Sequence, residues 1–283
     1  MHTVLVKAFS DNPNAGNPAG VILSDQALPE EQMKSIAHEL GFSESAFVYK
    51  EHDRSMQYLV RYFTRGKVEV PLCGHATIAL ARVLDDQNPF ESITISTLSG
   101  LIKVTKIGNE YYFSTIEKII GKAQFNSDEI AILLGLTNGD ILNLPIVSAS
   151  AGGKPKVMIP IKSLKTMQLI QPAFERMINF CKQNDVYGFY PFSQETVHIE
   201  SDFHARQFNP LAGINEDPQT GVAAGALVVY AQHFKITNQN VLSIEQGFEM
   251  GLPGIIKVLV KEDSIMVGGS ATPFGSKDVD GRF

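Results

Sequence analysis

The feature that most constrains this chain is an uncharged run from Gly221 to Phe234, which contains no Asp, Glu, Lys or Arg. A helix that is apolar on every side is buried, either in a protein or in a membrane. The run is too short for a bilayer, which takes about 20 residues to cross. We therefore predict a helix buried at the centre of a domain, with Pro218 and Thr220 suited to its start.

The start of this helix is a predicted anion-binding site. The first backbone amides of a helix have no partners within it and lie at the positive end of its dipole. Because Gly221 carries no side chain, a ligand could approach these amides closely. The sequence thus predicts that the helix presents an anion-binding end to a cleft.

The chain contains this arrangement twice. Residues 71–84 (PLCGHATIALARVL) repeat the Pro-x-x-Gly start and the small-residue helix, with Arg82 as their one charge. Gly74 and Gly221 lie 147 positions apart (221 − 74). Two further matches occur in the same order: Arg61-x-Phe63 with Arg206-x-Phe208, and residues 100–104 (GLIKV) with residues 254–258 (GIIKV). Such ordered matches indicate a duplicated domain.

The length and the order of elements predict two domains. A chain of 283 residues is long enough for two cores. Strand-like segments surround each buried helix in the same order, which predicts an α+β architecture in which a curved sheet or barrel wraps each helix. We place the first domain at residues 1–120 and the second at 121–269, with the linker near Gly121 to Asn126. Residues 270–283 are expected to return to the first domain.

The composition excludes several classes of function. The chain is 44% hydrophobic and carries a net charge of −6 without a basic cluster, so nucleic acid is not an expected partner. The N-terminus reads as a strand rather than a signal peptide. Cys73 and Cys181 provide no disulfide framework, which fits a reducing compartment. We therefore expect a cytoplasmic protein that does not enter a membrane.

Three residues near the helix starts could carry chemistry. Glu44 lies between two Ser residues before a predicted buried strand, although a surface carboxylate is the commoner fate of a Glu. His75 lies in a first helical turn, where burial and the dipole favour the neutral imidazole, and a purely structural His is the alternative. Asp217 could bind substrate or only start the helix, and Glu216 is an alternative to it.

The remaining candidates argue against thiol-pair and metal chemistry. Cys73 precedes a helix, a position that lowers the pKa of a thiol. Its counterpart in the repeat is Thr220, so the pair of thiols that a two-base racemase would use is missing. The seven His show no His-x-x-x-His pair, and the glycine-rich loops match no nucleotide fingerprint. The sequence therefore predicts proton-transfer chemistry with no cofactor and no metal.

Six blocks of the sequence resemble the signature blocks of the PhzF-like family, which contains phenazine-biosynthesis isomerases and their relatives. The blocks are, in order, residues 16–21 (GNPAGV), 41–48 (GFSESAFV), 61–64 (RYFT), 71–77 (PLCGHAT), 216–221 (EDPQTG) and 245–247 (EQG). They keep the family's order across nearly the whole chain. The resemblance implies the diaminopimelate-epimerase-like fold: two similar domains, each with a central helix, and an active site between them.

The resemblance also implies roles for individual residues. Glu44 would be the general acid/base, and His75 and Asp217 would position the substrate. Gly74 and Gly221 would offer amides to the carboxylate of the substrate. The family often has Ser where this chain has Val222, which removes a hydroxyl donor but keeps the backbone amide. A homodimer is expected by family analogy.

The leading hypothesis is thus a cofactor-independent isomerase of the PhzF type, acting on a small unsaturated or amino-acid-like carboxylate. One alternative is a racemase or epimerase that uses Cys73 with a non-thiol partner. Another is a protein that keeps the fold and binds small carboxylates or another partner without catalysis, an alternative that Val222 leaves open.

Overall fold

The computed structural model describes residues 1–50, 57–115 and 118–279. The chain forms two compact units: unit 1 is Met1–Ser114 with Gly268–Phe283, and unit 2 is Thr115–Val267. Residues 280–283, the end of the segment expected to return to the first domain, lie outside the described residues. The predicted domain limits, 1–120 and 121–269, stay a prediction.

The first 115 residues contain two helices and eight strands among the described positions. In chain order they are β1 (His2–Ala8), β2 (Asn17–Ser24), α1 (Glu30–Leu40), β3 (Glu44–Lys50), β4 (Gln57–Thr64), β5 (Glu69–Val70), α2 (Gly74–Gln87), β6 (Ser92–Thr97), β7 (Gly100–Ile107) and β8 (Glu110–Thr115).

The rest of the described chain contains four helices and eleven strands. In chain order they are β9 (Ile119–Gln124), α3 (Ser127–Leu134), β10 (Val147–Ser150), β11 (Lys156–Pro160), α4 (Leu164–Leu169), α5 (Phe174–Asn184), β12 (Phe189–Ser193), β13 (Phe203–Ala205), β14 (Gln207–Asn209), β15 (Ile214–Asp217), α6 (Gly221–His233), β16 (Val241–Gln246), β17 (Gly254–Val260), β18 (Ile265–Gly269) and β19 (Ala271–Asp278). Short 3₁₀ helices lie at Asn138–Asp140, Pro210–Ala212 and Phe248–Met250.

Helix α2 is buried in unit 1, as its sequence predicts. It begins at Gly74, and every residue from Gly74 to Ala81 is buried. The helix packs against β1, β2, β3 and β19. In the surrounding sheet β2 is parallel to β3, β3 is antiparallel to β4, and β4 is parallel to β6. Strand β1 pairs with β2 on one side and with β19 on the other.

Unit 2 repeats this topology around α6, which begins at Gly221 as predicted. Strand β11 is parallel to β12, β12 is antiparallel to β13, and β13 is parallel to β16. The helix packs against β9, β10, β11 and β17. In the part of the chain that the structure describes, no helix is both long and apolar enough to cross a membrane. The matching strand order confirms the predicted duplication.

A matched ion pair marks the same hairpin in each unit. Arg61 donates from Nε to Glu69 at 2.7 Å and from Nη2 at 2.6 Å, and Arg206 binds Glu216 at 2.8 and 2.9 Å. Each guanidinium lies over the ring of the Phe two positions later, at 5.1 and 4.9 Å from its centroid. Glu216, the alternative to Asp217, is therefore occupied by a bidentate pair with a structural role.

Three local features of the structure are not what the sequence alone indicates. The predicted linker falls largely on β9, which pairs with β10. Residues 197–199 (VHI), whose two β-branched residues favour a strand, form bends and turns. Their backbone bonds to a side chain, since Val197 and His198 donate N–H to the Glu245 carboxylate at 2.6 and 3.0 Å. Helix α3 was not predicted, although Asn126 caps it by accepting from the amide of Glu129.

Glu245 also belongs to a buried polar cluster in unit 2. His204 is fully buried, and its Nδ1 lies 2.7 Å from Glu245 while its Nε2 lies 2.9 Å from Glu249. Burial acts to lower the pKa of His204, but the two carboxylates outweigh it and raise the pKa to about 9. A protonated imidazole between two carboxylates therefore holds β13, β16 and the following 3₁₀ helix together.

We predict that His204→Gln destabilises the protein by about 3 kcal/mol near pH 6, because it leaves buried carboxylates without their cation. The folded-state pKa lies above the unfolded value, so this contribution is complete below pH 6.5 and is lost as pH rises through 9. Chemical denaturation over this range should show the gap to wild type closing at alkaline pH. His233→Gln, at an exposed His, serves as control. An equal loss at all pH values would contradict the assignment.

Candidate functional site

The start of α2 is fixed by hydrogen bonds from the sheet of unit 1. Cys73 precedes the helix in an extended conformation, with φ −131° and ψ 115°. Its carbonyl accepts from the amide of Thr77 at 3.0 Å and from the Thr77 hydroxyl at 2.7 Å. Tyr62 on β4 contacts the same hydroxyl at 2.6 Å. The first-turn amides of Gly74 and His75 are therefore presented by a rigid helix start.

Three of the residues considered from the sequence meet at this helix start. The Nδ1 atom of His75 lies 3.3 Å from Cys73 Sγ, and its Nε2 lies 3.4 Å from Ser43 Oγ. The same Nε2 lies 3.7 Å from Oε2 of Glu44, just beyond hydrogen-bond length. A carboxylate, an imidazole and a thiol thus share one small space in unit 1.

Burial sets the charge of the imidazole. His75 is 4% exposed, and burial lowers its pKa to about 3. The ring is therefore neutral at physiological pH, with one nitrogen as donor and the other as acceptor. A neutral ring can hold a proton donor or acceptor in place without forming an ion pair with Glu44.

Glu44 is held by a strand rather than by a loop. It is the first residue of β3, opposite Thr64 on β4, and the five residues that follow it are buried. Its side chain is 14% exposed, so the surface-carboxylate alternative is wrong. A carboxyl group on a rigid strand keeps a fixed distance to the start of α2, which general acid/base catalysis requires.

The same cluster has the donor set for a metal ion. Ligand atoms of Glu44, Cys73 and His75 all lie within 4.8 Å of one another. Three such ligands with one open position are typical of catalytic zinc sites. The expectation that no metal takes part therefore stays a prediction.

The start of α6 is the corresponding place in unit 2. The carbonyl of Thr220 accepts from the amides of Ala223 and Ala224, both at 3.0 Å. The Thr220 hydroxyl donates to the carboxylate of Asp217. Asp217, at the end of β15, thus lies at the helix start where the sequence places it, and its carboxylate is oriented by the residue before Gly221.

Gln246 fixes the backbone around this second helix start. Its Oε1 accepts from the Tyr190 hydroxyl at 2.9 Å and from the Thr220 amide at 3.3 Å. Its Nε2 donates to the carbonyl of Asp217 at 2.8 Å. The next residue, Gly247, has φ +88°, and a Cβ there would lie 2.4 Å from a backbone carbonyl oxygen. The Glu-Gln-Gly block is therefore required by the geometry of the α6 start.

The two helix starts differ in chemistry despite their shared backbone plan. At the offset of 147, Cys73 corresponds to Thr220 and His75 to Val222. Val222 lies in the first turn of α6, and a Cβ at Gly153 would lie 3.2 Å from its side chain. Unit 1 thus holds the acid/base candidates and unit 2 holds Asp217. That both helix starts serve one substrate stays a prediction.

Comparison with known proteins identifies relatives along nearly the whole chain. Residues 6–276 match the family model described as phenazine biosynthesis-like protein. A Bacillus subtilis protein named uncharacterized isomerase YfhB is 33% identical over 265 residues, covering 90% of this chain and 89% of that protein.

Solved structures share the fold. The Bacillus anthracis phenazine biosynthesis protein of the PhzF family superposes with a TM-score of 0.88 at 29% identity, covering 99% of this chain and 98% of that one. A probable proline racemase from Agrobacterium radiobacter, crystallised with carbonate, has a TM-score of 0.68 at 9% identity, covering 99% of this chain and 92% of that one. The second likeness shows the fold alone, which is the diaminopimelate-epimerase-like fold expected from the sequence.

Proposed function

Since this chain belongs to the phenazine biosynthesis-like family, whose relatives are named isomerases, we propose that it is a cofactor-independent isomerase. It would move a proton on a small unsaturated or amino-acid-like carboxylate. The observation that carries the proposal is the Glu44 carboxylate, held on β3 at 3.7 Å from the buried and neutral imidazole of His75.

In the proposed reaction one carboxylate performs both proton transfers. Glu44 takes a proton from one carbon of the substrate and, as the carboxylic acid, returns it to another carbon on the same face. No net proton enters or leaves, which suits an isomerisation. A positioned general base of this kind contributes about 10²–10⁴-fold to a rate. The neutral His75 would orient the reacting groups, because it offers hydrogen bonds without neutralising the Glu44 carboxylate.

The helix starts would bind the substrate. Backbone amides at Gly74 and Gly221 are suited to a carboxylate, since a helix N-terminus favours negative charge. Asp217 would accept a hydrogen bond from a donor group of the substrate. Val222 offers its amide but no hydroxyl, so it would change which substrates fit rather than the type of reaction.

The test is proton exchange in heavy water. Candidate small carboxylates are incubated with chelator-treated wild-type protein, and both isomerisation and deuterium incorporation are followed by NMR. Glu44→Gln should lower the rate at least 10²-fold, because the amide cannot act as a base. Glu31→Gln, at an exposed carboxylate on α1, should leave the rate within about twofold as the matched control.

Undiminished turnover by Glu44→Gln would remove Glu44 from the mechanism. Activity that disappears on chelation and returns with zinc would instead assign the Glu44, Cys73 and His75 cluster to a metal. Wild-type protein that binds small carboxylates but neither isomerises any of them nor exchanges deuterium into them would support the non-catalytic alternative.

The contact between Cys73 and His75 supports a second candidate, a racemase or epimerase. At 3.3 Å from Nδ1, the Sγ atom contacts the imidazole, and its thiolate would act as the base of such a reaction. Cys73→Ser separates the two reactions: the isomerase should keep its rate within about threefold, whereas a thiolate-dependent racemase should lose at least 10²-fold. Deuterium incorporation with each variant measures the difference, and a collapse of the rate would favour the racemase.

A further inference from the structure

The three side chains that meet at the start of α2 are held by two regular elements. Glu44 is the first residue of β3, Cys73 immediately precedes α2, and His75 lies in its first turn. The Cys73 carbonyl is fixed by the amide and the hydroxyl of Thr77. Carboxylate, thiolate and imidazole are the three side-chain groups that bind zinc in proteins. The cluster therefore presents one ligand of each kind on a rigid backbone.

The distances within the cluster are close to those of a tetrahedral zinc site. Bonds of about 2.3 Å to sulfur and about 2.0–2.2 Å to nitrogen or oxygen place the ligand atoms about 3.3–3.6 Å apart. His75 Nε2 lies 3.7 Å from Glu44 Oε2 and 4.0 Å from Cys73 Sγ. Ligand atoms of all three residues lie within 4.8 Å of one another. Side-chain rotations that shorten these distances would place the three atoms around one ion.

The charges of the cluster suit a divalent cation. The Glu44 carboxylate and a Cys73 thiolate together carry two negative charges, and the neutral ring of His75 adds none. Cys73 and His75 are 8% and 4% exposed, and buried charge is costly unless it is compensated. A Zn²⁺ ion compensates both charges, and its binding releases the proton of the thiol. Mg²⁺ fits less well, because it prefers oxygen ligands and only Glu44 of the three residues supplies one.

The start of α6 lacks these ligands. At the offset of 147, Thr220 and Val222 stand where unit 1 has Cys73 and His75. Both helix starts offer backbone amides, but amides are hydrogen-bond donors at the positive end of a dipole and do not bind a cation. Among the described residues, the cluster with Glu44 is the one group of three His, Cys, Asp or Glu side chains this close together. The geometry therefore predicts one such ion per chain, in unit 1.

We propose that Glu44, Cys73 and His75 form a Zn²⁺ site whose occupation blocks the acid/base chemistry of this chain. A carboxylate that binds the ion cannot take a proton from a substrate, and a ring that binds it through Nε2 cannot orient the reacting groups. Binding of the ion follows from the cluster itself, whereas its inhibitory effect rests on the function proposed above. The proposed reaction thus proceeds in the metal-free protein and stops when zinc is bound.

Co²⁺ tests whether the Cys73 thiol is a ligand. In a zinc site of this kind, a thiolate gives Co²⁺ a charge-transfer band in the near ultraviolet that nitrogen and oxygen ligands do not give. Wild type should show this band and saturate at one Co²⁺ per chain, and Cys73→Ser should lack the band. Cys181→Ala is the matched control, because it removes the other free thiol, which is buried in the core of unit 2.

The control also assigns the band independently. The chain has two cysteines, so Cys73 is the only thiol left in Cys181→Ala. A band in that variant identifies Cys73 as the ligand even if Cys73→Ser fails to fold. Absence of the band from wild type, or its presence in folded Cys73→Ser, would overturn the proposal.

Zinc affinity tests whether the carboxylate is a ligand. In isothermal titration of chelator-treated protein with ZnCl₂, Glu44→Gln should weaken binding at least about tenfold, since even the loss of a group that only supports a metal ligand costs about 10–100-fold. Glu31→Gln, at the exposed carboxylate on α1, should change the affinity less than about twofold. Excess Mg²⁺ should not displace the zinc. Unchanged zinc affinity in Glu44→Gln would contradict the three-ligand site.

Inhibition is measured separately from binding. One equivalent of Zn²⁺ should lower the isomerisation rate of wild type and of Cys181→Ala by about 10²-fold or more, and chelation should restore it. Bound zinc that leaves the rate unchanged, or a rate that requires zinc, would overturn the inhibitory role.

The binding experiments involve no turnover, so they are independent of the proposed reaction. A protein that shows the cobalt band and the zinc affinity but isomerises no carboxylate would keep the metal site and remove the proposed function. An active isomerase that shows neither would do the opposite.

Discussion

The burial of His75 in the first turn of α2 is the constraint on which the candidate site depends. At the protein surface an imidazole next to a carboxylate would gain a proton and form an ion pair, because its ordinary pKa is near 6.5. Burial instead lowers the pKa of His75 to about 3 and keeps the ring neutral. In the proposed mechanism the Glu44 carboxylate is therefore not neutralised by its neighbour and acts as the base. The small and apolar residues from Gly74 to Ala81 make this possible, since every residue of this part of α2 is buried in unit 1.

The duplicated architecture separates what supports the fold from what carries chemistry. Both units keep the parallel and antiparallel strand order, and both keep the bidentate Arg–Glu pair with its Phe partner. The residues at the helix starts have diverged. In the repeat, Cys73 corresponds to Thr220, and His75 corresponds to Val222. Backbone amides are available at both places, but side-chain acid/base groups cluster in unit 1.

The sequence was informative where the constraint is local. The absence of charge in α6 and the small residues of α2 predicted buried helices, and Gly74 and Gly221 marked their first residues because the start of a helix has a local signature. The cap residue Asn126 is a local signal of the same kind for the start of α3. Glu44 could be recognised as a candidate only from the residues around it, the two Ser residues and the strand that follows. Its position in the sequence alone fits a surface residue equally well.

The remaining features depend on contacts between distant parts of the chain. Val197 is held by Glu245, 48 positions away, so no local pattern could show that its segment is not a strand. Gln246 orients Asp217 from 29 positions away. Register and packing, rather than composition, decide such positions.

The neutral state of His75 is the most direct test of this account. The ring nitrogens of His75 can be followed by ¹⁵N NMR from about pH 8 to about pH 4, a range that spans the ordinary pKa of His. The account predicts one protonated and one unprotonated nitrogen throughout, because burial keeps the second proton off the ring. A transition to the imidazolium with a midpoint near 6.5 would contradict it, since Glu44 would then face a cation rather than a neutral partner.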